Sequence, residues 1–334
     1  MDCQFIVWLM ASLLATSPAF AQADPPSYDV PLGIALESYA YPYEVKMLPL
    51  ENEGHPVRMA FMDVAPTGNA NGRTALLMHG KNFVSDYWKS VIEALAKAGY
   101  RVVVPDQIGF GKSSKPEMRY SLDLLAGNTI KLLDSLGIDK IVLIGNSMGG
   151  TLAIRFASLY PSRVMHLVLE NPIGLEDYHL AIPPQGTDAL TRIEMAQTPE
   201  SYRKFMQGYF ARWRPEFEKY VEPVIRVRMS AEYPRYAKVS ALTYQMVYDQ
   251  SVRYDLPLIK MPTLWLIGQL DRTVFGRRFA PPESIKSMGN FPALGQEAAS
   301  ALPGARLIEF DELGHVAHLE APDRFNAAVL GFLK

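Results

Sequence analysis

The sequence predicts an α/β protein: a mostly parallel central sheet with helices on both faces and a helical cap inserted between two strands. Three observations carry this expectation. From residue 74 onward, short aliphatic or β-branched runs alternate with segments of helical spacing, joined by short connections. The alternation stops between 171 and 256 and then resumes with the same rhythm. A serine flanked by glycines, Gly145-Asn146-Ser147-Met148-Gly149-Gly150, stands where a strand gives way to a helix.

Taken in order, the first segment is an apolar run over residues 5–14, followed by Ala19-Phe20-Ala21 and Gln22. These are the apolar core and small-x-small cleavage site of a secretory signal peptide. No Lys or Arg precedes the run, which departs from that pattern, but the run is only about half of the roughly 20 residues that span a bilayer. The expectation is export to the periplasm or the exterior, cleavage after Ala21, and no stable membrane insertion of what remains. The one cysteine, Cys3, falls inside this segment, so the processed chain would hold no disulfide and no thiolate metal site. The domain plan that follows is a signal peptide at 1–21, an α/β core built from 22–170 and 257–334, and a cap at 171–256.

Residues 22–42, rich in Pro, Ala and Tyr, read as extended chain. Residues 43–50 and 57–64 show the alternation of half-buried strands, and the turn-like stretch 51–56 joins them as an antiparallel pair. A Gly/Asn-rich loop leads to a buried strand at 74–78, which ends in His79-Gly80. Then come a helix at 85–98, a strand at 100–104, a helix at 122–136, a strand at 140–144, a helix at 148–159 and a strand at 164–169. Such alternation argues for a parallel sheet. The interruption is dense in Tyr, Arg and Met, with helices predicted at 199–213 and 215–229. Past it lie a strand at 263–267, a helix at 294–301, a strand at 306–310 and a last helix at 322–333. An insertion placed between two strands of an open sheet covers the strand C-termini, where such folds bind ligands.

The chemistry centres on Ser147. A serine hydroxyl is a weak nucleophile and has to be held exposed on a sharp turn, with glycines where side chains would clash. Asp271, in Gly268-Gln269-Leu270-Asp271, follows the strand at 263–267, and His315, in Gly314-His315, follows the strand at 306–310. Each of the three thus stands just past a strand end, in the chain order Ser, Asp, His that a nucleophile-elbow enzyme requires. Three other groups read as structural. Asp106 fixes a loop turn by bonding backbone amides. His318 lies three residues beyond His315, but no carboxylate or third histidine accompanies the two at ligand spacing, so no metal and no cofactor are expected. Glu170 ends the strand before the cap and becomes the alternative acid only if Asp271 is not the third member. The cap aromatics Tyr202, Phe205, Tyr209, Phe210, Trp213, Tyr244 and Tyr248 are mainly packing groups, with a few expected to line a pocket.

These pieces, together with His79-Gly80, Asp106-Gln107-Ile108-Gly109-Phe110-Gly111-Lys112-Ser113 and Glu320-Ala321-Pro322, resemble the α/β-hydrolase fold superfamily, in its serine esterase, haloperoxidase and C–C hydrolase-like group. The resemblance covers nearly everything after residue 40. It implies an oxyanion hole made by the backbone N–H of Met148 and by that of Lys81, after His79-Gly80. Lys81 is unusual there: relatives often carry glycine or an aromatic residue, and its side chain either points to solvent or reaches an anionic part of the substrate. Asn82 is a tentative substrate-binding residue beside it. A serine nucleophile argues against the dehalogenase and epoxide hydrolase branches, which use a carboxylate. Ester hydrolysis by acyl transfer to water comes first, and C–C, amide or lactone cleavage on the same triad is the alternative. A non-catalytic ligand-binding protein on this fold is the distant one. With 33 basic and 35 acidic residues the chain is nearly neutral, so the expected partner is a small molecule rather than nucleic acid. Oligomeric state is not legible in the sequence.

Overall fold

The computed structural model describes residues 26–334, and the predicted signal peptide, its cleavage site after Ala21 and Cys3 lie outside the described residues. The strands are β1 (Val45–Asn52), β2 (His55–Val64), β3 (Thr74–Met78), β4 (Arg101–Pro105), β5 (Ile141–Asn146), β6 (Val164–Glu170), β7 (Thr263–Gly268) and β8 (Arg306–Phe310). They form one sheet in the order β1-β2-β4-β3-β5-β6-β7-β8. Pairing is antiparallel from β1 through β2 to β4 and parallel from there to β8. The mostly parallel sheet expected from the sequence is therefore present, with the antiparallel pair at one edge.

That pair is tighter than its sequence suggested. Asn52 and His55 are register partners, so the turn-like stretch shrinks to Glu53-Gly54, with φ of 49° and 76°. Positive φ at both central residues is the turn whose twist matches an antiparallel pair, and glycine supplies the second position without strain.

Strand alternation separates two cores. Leu76, Met78 and Leu143 point to one face, where they meet α2 (Leu122–Ser135), α3 (Met148–Leu159) and a later helix at Phe291–Ser300. Ala75, Leu77, Val142 and Ile144 point to the other, where they meet α1 (Lys89–Lys97) and the last helix, Pro322–Phe332. Period-two side chains on central strands, apolar on both sides, are what helices on both faces require.

Between β6 and β7 the chain forms α4 (Thr187–Ala196), α5 (Pro199–Gln207), α6 (Glu222–Val227) and α7 (Tyr233–Asp249), with short 3-10 turns among them. Two sequence expectations need correction here. The helix predicted at 199–213 ends at Gln207, and the one at 215–229 is a 3-10 turn, Pro215–Tyr220, followed by α6. Neither α4 nor α7 was expected from the sequence pattern. Helix α7 buries Tyr233, Ala237, Val239, Ala241, Thr243, Met246, Val247 and Tyr248, positions that fall on several faces, so no single apolar stripe marks it. Beyond β7 come α8 (Pro282–Ser287), α9 (Phe291–Ser300), α10 (Ala317–Glu320) and α11 (Pro322–Phe332).

The extended segment before β1 is a strap. Leu32, Ile34 and Leu36 are buried against Val227, Tyr233 and Ala237 from the α6–α7 region. Arg226 accepts the Leu32 N–H at its carbonyl and donates Nε to the Val30 carbonyl. Tyr39 and Tyr41 then fasten the strap to the core by donating to Asp86 and Asp106 at 2.9 and 2.6 Å. Asp106 also accepts the Ser85 and Lys112 amides, the turn-fixing arrangement its sequence context suggested.

Candidate active site

Ser147 follows β5 directly and opens α3, with φ 55° and ψ −121°. A positive φ at a residue with a side chain costs about 1–3 kcal/mol and persists where the surroundings dictate it. Here they do: a Cβ at Gly145 would stand 2.3 Å from the Gly149 carbonyl oxygen, and one at Gly149 would stand 2.0 Å from that of Met78. Only glycine fits at either position, so strand, turn and helix pack closely enough to force the serine outward.

Asp271 follows β7 and His315 follows β8, and the sheet brings them together. His315 Nδ1 lies 2.6 Å from Asp271 Oδ2, with both side chains almost wholly buried. A carboxylate oxygen accepts, so Nδ1 carries the hydrogen, and in the neutral ring that tautomer leaves the lone pair on Nε2. Nε2 is buried and has no hydrogen-bond partner among the described residues. Ser147 is 8% exposed, and among the described residues its hydroxyl makes no hydrogen bond to His315. Asp271 is itself held: Asn171 Nδ2 donates to Oδ2 at 2.7 Å and the Thr273 amide to Oδ1 at 2.8 Å. Asn171, at φ 40°, also accepts the Gly268 amide. The sequence pattern did not single it out, although an asparagine just past a strand end readily takes the left-handed conformation.

The loop after β3 faces the elbow. Neither the Lys81 nor the Met148 backbone N–H has an acceptor among the described residues. The Gly80 amide donates to Tyr87 Oη, Tyr87 donates to Asn146 Oδ1, and Asn146 Nδ2 donates to the His315 carbonyl. This chain of bonds links the β3 loop, the elbow and the histidine loop. Below it, Glu170 makes no hydrogen bond to His315 among the described residues and pairs with His318, whose Nδ1 is 2.7 Å from Oε2 and whose amide donates to Oε1. Both side chains are fully buried, and the His318 ring stacks on Trp88 at 4.3 Å. The structural role expected for Glu170 matches this geometry.

A cavity of about 600 Å³ opens over Ser147 beneath the cap helices. Lys81 lines it, and its side chain turns inward: Nζ donates to the carbonyl and hydroxyl of Ser240 on α7, both at 3.2 Å. Burial pushes the Lys81 ammonium down to about 8, against a smaller opposing pull from Glu194. Asn82 lines the cavity as well, its Nδ2 donating to Tyr209 Oη at 2.7 Å. Of the cap aromatics, Tyr202, Phe205, Tyr209 and Tyr244 reach the cavity wall. Phe210 and Trp213 instead pack on Phe217, and Tyr248 donates to the Ile182 carbonyl. The exposed Arg277 and Arg278 also contribute to the wall. Among the described residues no three His, Cys, Asp or Glu side chains gather as metal ligands would, and no helix is long and apolar enough to cross a membrane.

A family model described as alpha/beta hydrolase fold matches residues 76–322. The chain belongs to this family. It is similar at 30% identity to a 2-hydroxy-6-oxo-6-phenylhexa-2,4-dienoate hydrolase of Comamonas testosteroni, over 79% of this chain and 88% of that protein. It is 29% identical to a 2-hydroxy-6-oxononadienedioate/2-hydroxy-6-oxononatrienedioate hydrolase of Burkholderia vietnamiensis, over 86% of this chain and 95% of that protein. Among solved structures, a probable hydrolytic enzyme of Pseudomonas aeruginosa PAO1 superposes with a TM-score of 0.89 at 45% identity, covering 91% of this chain and 99% of that one.

Proposed function

We propose that this chain is a serine hydrolase that cleaves a small carbonyl substrate bearing a carboxylate, with a carbon–carbon bond next to a ketone as the bond broken. The observation that carries the reading is the 2.6 Å His315–Asp271 contact at the same sheet edge as Ser147, under one cavity. The sequence put ester hydrolysis first. The names of the relatives, which are carbon–carbon hydrolases of oxo-dienoic acids, favour the alternative. Lys81 in the cavity wall suits a carboxylate, and so do Arg277 and Arg278.

In this reading Ser147 Oγ attacks the ketone carbon while His315 Nε2 takes the hydroxyl proton. The oxyanion is met by the Lys81 and Met148 backbone N–H groups. Collapse of the tetrahedral adduct breaks the carbon–carbon bond, and the electron pair leaves on the carbon of the departing fragment. For a dienol substrate this requires that the hydroxyl first gives up its proton and the departing carbon gains one. A conjugated ketone in the departing fragment then accepts the charge, and the proton held by His315 completes it. Water, deprotonated by His315, then attacks the acyl-serine and frees the second acid. Ester cleavage uses the same steps with an alcohol as leaving group, and the aromatic part of the cavity wall favours it as the second reading. Export stays part of the proposal and rests on the signal-like sequence at 1–21.

The test is a parallel assay of a 2-hydroxy-6-oxo-dienoate, followed by loss of its dienol absorbance, and of p-nitrophenyl esters. Faster turnover of the dienoate, abolished in Ser147→Ala, is expected. Turnover confined to the esters would replace the carbon–carbon reading with the ester one, and turnover that survives Ser147→Ala would remove both.

A further inference from the structure

The cap does more than cover the cavity, because one of its segments lies directly on the histidine loop. Three contacts converge there. The Tyr209 ring stacks on the His315 imidazole, with centroids 4.9 Å apart and planes 22° from parallel. The Tyr209 carbonyl accepts the His315 amide at 2.8 Å. Glu320 bridges the two segments with its carboxylate, accepting the Gly314 amide on Oε1 at 2.7 Å and the Ala211 amide on Oε2 at 2.9 Å. The approach is close enough that a Cβ at Gly314 would lie 2.7 Å from both the Tyr209 carbonyl oxygen and the Ala211 nitrogen. Glycine next to the histidine is therefore what lets the cap backbone reach it.

Tyr209 also touches the other half of the site. Its hydroxyl accepts from Asn82, the neighbour of the β3-loop residue Lys81, and its ring packs against Phe83 at 5.9 Å. One side chain from the cap therefore contacts the histidine and the loop that faces the nucleophile. An imidazole held only by Asp271 is free to swing about its χ angles on the side away from the carboxylate. The flat face of Tyr209 limits that freedom on one side of the ring, which Phe291 also meets edge-on at 5.7 Å, and adds no polar group that would compete for Nε2.

We propose that Tyr209 is a positioning residue for the reaction, holding the His315 ring by stacking and the Lys81–Asn82 loop by its hydroxyl, with Glu320 clamping the cap segment onto the histidine loop. The proposal rests on His315 acting as the general base. It gives the cap a defined part in catalysis: the base and the oxyanion loop are both aligned only when the segment at 209–211 is seated. It also explains why a cap residue presents its aromatic face to the triad, where packing alone would be met by an aliphatic side chain.

The experiment compares Tyr209→Phe, Tyr209→Leu and Glu320→Gln with wild type and with Ser147→Ala. Four quantities are read: kcat, KM, the rate constant for inactivation by a fluorophosphonate, and the thermal midpoint. The fluorophosphonate reacts at the activated serine without needing the substrate pocket, so it reports alignment of the base. Tyr209→Leu removes the flat face and is expected to lower kcat and the inactivation rate together by about 100-fold, the scale on which an ångström of misplacement acts. Its KM should change by less than about threefold. Tyr209→Phe keeps the face and should restore the inactivation rate to within about threefold of wild type. It removes the acceptor of Asn82, so its remaining defect should appear in kcat, through the loop that carries the Lys81 N–H, and not in KM. Glu320→Gln places an amide against two N–H groups and should lower the inactivation rate by about tenfold, and it carries the test if the leucine variant does not fold. Wild-type inactivation rates in folded Tyr209→Leu, or in Glu320→Gln where the leucine variant is unfolded, would overturn the proposal. Failure of the functional reading would look different, since Ser147→Ala would then still turn over substrate.

Discussion

Lys81 carries an ammonium into a cavity wall that disfavours charge, and what it bonds there is one serine, whose hydroxyl in turn donates to Glu194 at 3.2 Å. The sequence left open whether this side chain meets solvent or substrate. The structure turns it inward because Ser240, on a helix that no apolar stripe announces, offers it two acceptors. With burial holding the group to about 8, it is charged at pH 7 and loses that charge as the pH climbs past 8. A substrate carboxylate would be attracted below that pH and not above it. The KM for a carboxylate substrate should therefore rise between about pH 7.5 and 9.5, while that for a neutral ester should not. Lys81→Met keeps the backbone N–H and should raise the carboxylate KM at pH 7 by about tenfold, the scale of one charge-assisted hydrogen bond, and flatten its rise with pH. An unchanged KM for the anion in that variant would remove Lys81 from substrate recognition.

At the scale of elements, the close packing at the elbow and the strap are read from different kinds of signal. The elbow is spelled in glycines whose backbones nearly touch, so a local pattern betrays it. The strap is held by three aliphatic side chains against the cap, and nothing in residues 22–42 announces a partner so distant in the chain. Leu32 is 1% exposed and packs in a cluster with Val227, Tyr233 and Ala237. Leu32→Ala should cost about 2–4 kcal/mol of unfolding free energy, as transfer and cavity terms together predict for a buried leucine. Urea titration with the slope held in common measures it. A loss under about 0.5 kcal/mol would mean that the strap does not fasten the cap to the rest of the chain.

Across the whole molecule, parallel pairing aligns the strand ends, so residues at 147, 271 and 315 meet at one edge although the chain separates them widely. That much was legible from alternation and from the place of each residue just past a strand. The supports were not. Asn171 acts through its side-chain amide, Tyr209 through a ring face and Glu320 through backbone amides, roles that leave no spacing to read, and Glu170 and His318 find each other only through the fold. Much of the cap was illegible for a related reason. Its helices bury residues toward the core, the strap and the cavity at once, so their apolar positions do not collect on one stripe. The family follows from the matched span, whereas the bond cleaved depends on cavity chemistry that the elbow does not encode.

Covalent acylation of Ser147, with His315 and Asp271 behind it, is the step on which the proposed chemistry depends, and a rapid-quench digest tests it directly. The enzyme is mixed with substrate, stopped in acid within the first turnover, and its peptides are weighed. The peptide holding Ser147 should gain the mass of the acyl fragment in wild type and in no Ser147→Ala sample. Asp271→Asn should accumulate the adduct more slowly by several orders of magnitude, on the scale of about 10⁴ known for the equivalent change in the serine-protease triad. An acyl adduct on another residue, or full turnover in Ser147→Ala, would contradict the mechanism.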